Sequence, residues 1–249
     1  MKITVCELPD AIEAAGAAWD ELEHHLQDHA TDLLVLPELP AVGSFWTQRE
    51  FDLAVWEDAV ARHAALASHL ERLDAKRIIG TRAVQSDGQR LNESFLWTKQ
   101  RGLVPGRAKA WLPNEEEGWE AAWFDRGNQK IDPVIDDGLR FATLICTELL
   151  VSPAPRALGQ AGIQLIAVPR ATGGHARWDT GARMAAISAG AFVATANRRG
   201  IGFTGGSWVI GPDGDRLAAT DAANPIVTVT VDLAAADVAK QTYPRNVED

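Results

Sequence analysis

The chain has little of what would tie it to a membrane, to nucleic acid or to an oxidising compartment. It has two cysteines, Cys6 and Cys146, too few for a disulfide framework, and a reducing compartment leaves both as thiols. No run approaches the roughly 18 apolar residues of a membrane span. Met1 and Lys2 lead straight into the strand-like Ile3-Thr4-Val5-Cys6 without the apolar stretch of a secretory signal, so a cytoplasmic location is expected. Positive charge is scarce as well: 24 Lys and Arg stand against 34 Asp and Glu, a formal net charge of −10. Nucleic acid and anionic membrane surfaces select concentrated Lys and Arg, which leaves a small molecule as the expected partner. The six histidines form no ligand-spaced set with the cysteines, and no glycine-rich phosphate loop precedes a helix. No metal and no cofactor are therefore expected. No Pro/Ser-rich linker, charge block or fixed-period repeat divides the chain, and residues 1–249 read as a single domain.

What is present suffices for a sizeable core, with 46% apolar and 23% charged residues. Short β-rich runs at 3–8, 32–36 and 77–84 alternate with helical patterns at 11–29 and 50–73, the order of an α/β layered domain. Ser86-Asp87-Gly88-Gln89 reads as a hairpin turn, and further strand-like runs at 94–99 and 140–145 make the sheet mixed. After Cys146 the pattern gives a helix near 155–161, an apolar strand at 164–169, a small-residue helix at 178–188 and a strand at 192–196. Strands at 206–210 and 226–231 flank the turn Gly211-Pro212-Asp213-Gly214. The two similar halves suggest two sheets packed on each other.

Three segments place a reactive side chain at the end of an apolar strand, where α/β sheets tend to build their sites. Asp32-Leu33-Leu34-Val35-Leu36-Pro37-Glu38-Leu39 stops at a proline and delivers a carboxylate; taken alone, Glu38 reads more simply as a side chain turned outward. Gly106-Arg107-Ala108-Lys109-Ala110-Trp111-Leu112-Pro113-Asn114 sets Lys109 among apolar and aromatic neighbours. Lys109 is either a surface lysine or a buried one, and burial would demand carboxylate partners such as Glu38 or Glu120. Leu139-Arg140-Phe141-Ala142-Thr143-Leu144-Ile145-Cys146-Thr147-Glu148 ends in a thiol where a turn should begin. A lone cysteine is as readily core as nucleophile, and for Cys6, inside the first strand, core is the simpler reading.

Taken jointly, Glu38, Lys109 and Cys146 in these contexts and in this order resemble the Glu-Lys-Cys triad of the nitrilase superfamily of carbon-nitrogen hydrolases. The resemblance runs from the Ile3 strand through Val168-Pro169-Arg170 and Asn197 to Tyr243-Pro244-Arg245. It implies an α/β fold, a four-layer αββα sandwich of two mixed sheets flanked by helices. It also implies a thioester on Cys146, with Glu38 as general base, and Lys109 and the Thr147 amide as oxyanion donors. A second glutamate near the lysine maps to Glu120, with Glu116 and Glu117 as alternatives.

Thr147 stands where true nitrilases usually carry Trp, which favours a small carboxamide over a nitrile as substrate. Trp111 replaces a histidine found in many relatives. Leu149 and Leu150 stand where carbamoylases tend to have arginines, leaving Arg170, His175 and Arg177 as substitutes. Among nine tryptophans, Trp46, Trp111, Trp119 and Trp178 fall near site-forming segments, where they suit a pocket wall and core or subunit contacts equally; substrate contacts are expected from Thr147, Trp111, Trp119, Arg170 and Trp178. The resemblance further implies a homodimer or higher homo-oligomer through outer helices, with which the small-residue run 181–190 is compatible. Three other readings stay open: a nitrilase, a catalytically idle binding subunit, and an acyl transferase using an amine instead of water.

Overall fold

The computed structural model describes residues 1–10 and 12–247. Its first half comprises β1 (Lys2–Pro9), α1 (Ile12–Asp28), β2 (Leu33–Val35), α2 (Leu53–Leu70), β3 (Ile78–Ser86), β4 (Gln89–Thr98) and β5 (Gly102–Ala108). A short α3 (Glu120–Trp123) leads to β6 (Val134–Asp136), β7 (Leu139–Thr143), α4 (Pro153–Gln160), β8 (Leu165–Pro169), α5 (Arg177–Ala189) and β9 (Phe192–Gly200). The chain ends with β10 (Phe203–Thr204), β11 (Trp208–Ile210), β12 (Arg216–Ala219), β13 (Ile226–Thr230) and α6 (Ala234–Ala239). The helix expected from Ala11 thus runs over Ile12–Asp28, and Ala11 itself lies outside the described residues.

Local chemistry accounts for several boundaries. Asp52 caps α2 by accepting from the Ala54 and Val55 amides, satisfying donors that a helix start leaves bare. Asp87 and Gly88 both take positive φ, 49° and 79°, as a two-residue hairpin turn between β3 and β4 requires. Two strands depart from the sequence pattern. β5, over residues for which no strand is expected from the pattern, contains Pro105 and Gly106 and lies at the sheet edge, where a missing N–H is harmless. The turn at 211–214 joins β11 to β12, not to β13, because 216–219 forms a strand of its own paired with β11.

Strand pairing gives two similar halves. β1, β2 and β3 run parallel, with β13, β4 and β5 added antiparallel. β7, β8 and β9 run parallel, with β6, β11 and β12 added antiparallel. The expected two sheets are joined: Glu7–Pro9 pairs with Asn197–Arg199, making one continuous thirteen-strand mixed sheet folded over on itself. Period-2 alternation separates the faces. Ile3, Val5, Leu33 and Val35 meet Leu165, Ala167, Phe192 and Ala194 between the halves. Their neighbours Leu34 and Leu36 turn outward onto α1 and α2, and Ile166 and Val168 onto α4 and α5. Four layers result. The alanine face of α5 is buried within this chain, and a Cβ at Gly159 of α4 would stand 2.7 Å from Ala189 Cα. The small residues thus serve helix packing inside the chain. No described helix is long and apolar enough to cross a membrane.

Candidate active site

β5 is antiparallel to β4, which is antiparallel to β3, so β2, β5, β7 and β8 all point their C-terminal ends to one side of the molecule. Glu38, Lys109 and Cys146 leave β2, β5 and β7 on that side. Each is almost sealed from solvent: Lys109 is 0% exposed, Glu38 1%, and Glu120 and Cys146 4% each.

The lysine is held between two carboxylates. Its Nζ donates to Glu38 Oε1 at 2.8 Å and to Glu120 Oε1 at 2.6 Å. A second donor, Asn92 Nδ2 on β4, reaches the same Glu38 oxygen at 2.8 Å. The other oxygens, Glu38 Oε2 and Glu120 Oε2, are buried with no hydrogen-bond partner. One ammonium therefore faces two carboxylates, and an ammonium has three N–H groups, of which these contacts use two. Of the three candidate second glutamates, Glu120 makes this contact, whereas Glu116 and Glu117 are exposed at the mouth of the cleft.

Electrostatics follow from that sharing. Burial works against charge on Lys109, but Glu120, Glu38 and Cys146 outweigh it and hold the ammonium above its ordinary range. Burial raises Glu120; Lys109 opposes, Glu38 adds, and the result is a carboxyl pushed up to about 7. A 2.6 Å ion pair would by itself hold Glu120 low. The upward direction prevails because a single buried cation cannot fully compensate two buried carboxylates. Burial also pushes the Cys146 thiol well above its ordinary value, Glu38 and Glu120 push the same way, and Lys109 and the Ala171 amide pull it down.

The backbone around these groups is tightly determined. Cys146 has φ of 50° and opens the 3-10 turn Cys146–Leu150, a left-handed conformation that non-glycine residues adopt at a cost of order 1 kcal/mol or more. Leu39, just past Glu38, also has φ of 50°. Arg198, buried on β9, holds that loop: Nε donates to Glu38 O at 2.9 Å, Nη1 to Val42 O at 2.6 Å and to Asp10 Oδ1 at 2.9 Å, and Nη2 to Leu39 O. Asn92, Arg198 and the fully buried Glu148 are site-building residues that the strand-end reading passes over. Their signal in sequence is modest: an amide or charge within an otherwise apolar strand or turn.

Above these groups opens a cleft of about 810 Å³. Cys146, Thr147, Glu120, Trp119 and Trp178 are among its lining, as are His175 and Arg177. Trp111 and Arg170 are not. Trp111 is half-buried beside Ala110. Arg170 is buried, donating to Thr172 Oγ1 at 2.7 Å and Gly206 O at 2.5 Å and lying over the Trp208 ring at 4.3 Å. Its substrate contact is replaced by support of the loop that lines the cleft. Among the described residues, no group of three His, Cys, Asp or Glu side chains is arranged to hold a metal ion.

Comparison with known proteins agrees with this architecture. A carbon-nitrogen hydrolase from Helicobacter pylori superposes with a TM-score of 0.83 at 22% identity, covering 99% of this chain and 94% of that one. A CN-hydrolase superfamily protein of Xanthomonas campestris with an arsenic adduct in its active site gives 0.78 at 21% identity, covering 98% and 95%. An amidase from Nesterenkonia sp. gives 0.76 at 23% identity, covering 92% and 89%. No curated protein matches the chain. The sequence matches the carbon-nitrogen hydrolase family over residues 4–241, nearly its whole length, and the chain belongs to that family.

Proposed function

We propose that the protein is an amidase that hydrolyses a small carboxamide to a carboxylic acid and ammonia through a thioester on Cys146. One observation carries this reading: a single buried ammonium shared by Glu38 and Glu120 beside a buried thiol, with Glu38 Oε2 unpartnered.

The raised thiol means that no standing thiolate waits in the site, so a base must take the proton as sulfur attacks. Glu38 Oε2 accepts the Sγ proton while Sγ bonds to the amide carbon. The developing oxyanion is met by the third N–H of Lys109 and the Thr147 amide. Glu38 returns the proton to the amide nitrogen, the C–N bond breaks, and ammonia leaves a thioester. Water then attacks the thioester carbon, Glu38 takes its proton, and collapse expels the thiolate, which recovers the proton from Glu38. Glu120, whose carboxyl burial pushes up to about 7, fixes Lys109 while its raised affinity for a proton disfavours a second full negative charge beside the adduct. In a mutant of the Nesterenkonia amidase, the acetamide moiety of fluoroacetamide is attached covalently at the active-site cysteine, a displacement of fluoride that supports a nucleophilic thiol at Cys146 here.

Thr147 directs the choice toward amide. The test is ammonia release from a panel of carboxamides and nitriles, followed by peptide mass mapping of protein quenched during turnover. An acyl adduct on Cys146 with amide turnover is expected. Turnover confined to nitriles, or an adduct on another residue, overturns the reading.

A further inference from the structure

Glu148 is 0% exposed, accepts four hydrogen bonds and takes no part in the reaction just described. Two donors are backbone amides: Ala110 N at 2.7 Å, one residue past Lys109, and Ile145 N at 2.8 Å, one residue before Cys146. The other two come from Arg107, two residues before Lys109 on β5, with Nη2 at 2.8 Å and Nη1 also in contact. One carboxylate therefore grips the strand end that carries the lysine and the turn that carries the cysteine. These belong to different halves of the sheet, and β5 and β7 share no ladder in the strand order. Their relative placement depends on side chains that cross between them.

We propose that Glu148 is the positioning residue that holds the Lys109 ammonium against Cys146 by clamping the amides adjoining each; the inference rests on the reaction proposed above. Glu148 acts only through its neighbours. Charge-assisted bonds to backbone N–H and guanidinium are the strong class, and a displacement of about 1 Å in a catalytic group can cost about 100-fold in rate.

The charged groups around Cys146 are Glu38, Lys109 and Glu120, with the Arg170 guanidinium also feeling the thiol; Arg107 faces Glu148. That inventory gives the test a sign. In Glu148→Gln, charge alone removes an anion and leaves Arg107 cationic, which favours the thiolate and lowers the pH midpoint of Cys146 alkylation. Loss of position lets Lys109 drift from the sulfur and raises that midpoint. Glu148→Asp keeps the charge and shortens the reach, so charge alone predicts no change and position predicts a rise.

The experiment measures iodoacetamide alkylation of Cys146 against pH, by peptide mass, for the full chain and both variants, with steady-state kinetics on the best carboxamide. A raised midpoint in both is expected, with kcat down about 100-fold and KM within about threefold. A lowered or unchanged midpoint with kcat within about twofold overturns the proposal. If Glu148→Gln does not fold, Glu148→Asp alone decides by the same criterion. Alkylation needs no substrate, so an enzyme inactive on every amide would sink the proposed reaction while leaving the role of Glu148 to be read from the midpoints.

Discussion

At the floor of the cleft, Glu38, Lys109 and Cys146 follow strand ends and Glu120 opens α3; all four are closed to solvent, and hydrogen bonds tie Glu38, Lys109 and Glu120 together. At its mouth, Glu115, Glu116, Glu117, His175 and Arg177 stand exposed on loops and helix starts, and Ile201 at a hairpin tip is 100% exposed. The floor therefore has one geometry, set by the sheet, whereas the mouth has side chains free to adapt. A site so divided keeps its chemistry on rigid elements and leaves selection to the segments that vary most easily.

Breaking the floor should have the largest effect. Cys146→Ser is expected to lower kcat by about 10⁴-fold or more, since nothing else at the floor offers a comparable nucleophile. Lys109→Met should lower it by about 10³-fold through the lost oxyanion donor. It also leaves Glu38 and Glu120 facing each other without a cation, and stripping one partner from a buried ion pair costs about 3–5 kcal/mol. Adding Glu120→Gln to Lys109→Met should restore part of the Tm and none of the activity. Ammonia release and thermal melts followed by circular dichroism measure both. A Lys109→Met protein with unchanged Tm and kcat would mean that the floor is not organised around its ammonium.

The pH dependence of stability sharpens the contrast, because one buried group at the floor and one in the outer layer pull in opposite senses. Burial first, then Glu38, lifts Glu120 from 4.5 to about 7. The folded state then holds a proton the unfolded chain releases, so this contribution to stability is full below 4.5 and is lost as pH rises through about 7. Burial lowers His63, on α2, from 6.5 to about 4, so its contribution is lost as pH falls through that window. Glu120→Gln should remove the decline on the alkaline side, and His63→Gln the decline on the acid side, in urea midpoints measured from about pH 4 to 8. A Glu120→Gln protein whose midpoints track the parent across that range would refute the assignment of this slope to the floor.

The same division decides what the sequence reveals. Glu38 and Cys146 are legible because each follows an apolar strand that ends where the parallel strands finish, whereas Lys109 follows the half-exposed edge strand β5 and is legible jointly with them through the resemblance to the Glu-Lys-Cys triad. The α/β layering is legible from strands that alternate with helices, and the four layers from the family resemblance. What is not legible depends on contacts between distant segments. Arg198 reaches Glu38 O across 160 positions, and Glu148 reaches Ala110 N across 38; no local period announces such pairs. Arg170 misleads for the complementary reason. It follows a strand as Glu38, Lys109 and Cys146 do, but its guanidinium turns onto Trp208 and Gly206, and the strand pattern carries no information on which way a long side chain folds.

The smallest effects are expected at the mouth. Trp178 stands in the first turn of α5, which Asp179 steadies through Arg183 at 3.0 Å and through Arg216. Trp119 has Arg49 over its ring at 5.0 Å, and its amide donates to Trp46 O at 2.9 Å. Both line the cleft, and as wall residues of the proposed site they would meet substrate before and during reaction alike, so truncation should raise KM and leave kcat within about twofold. An aromatic contact is worth about 0.5–1.5 kcal/mol beyond its area, so Trp178→Ala and Trp119→Ala should each raise KM roughly 2- to 10-fold. Trp111→Ala, outside the cleft lining, should move neither constant. Steady-state kinetics on one carboxamide separates the cases: a Trp111→Ala KM that rises as far as that of Trp178→Ala would place the wall of the site on the lysine strand and erase the boundary between floor and mouth.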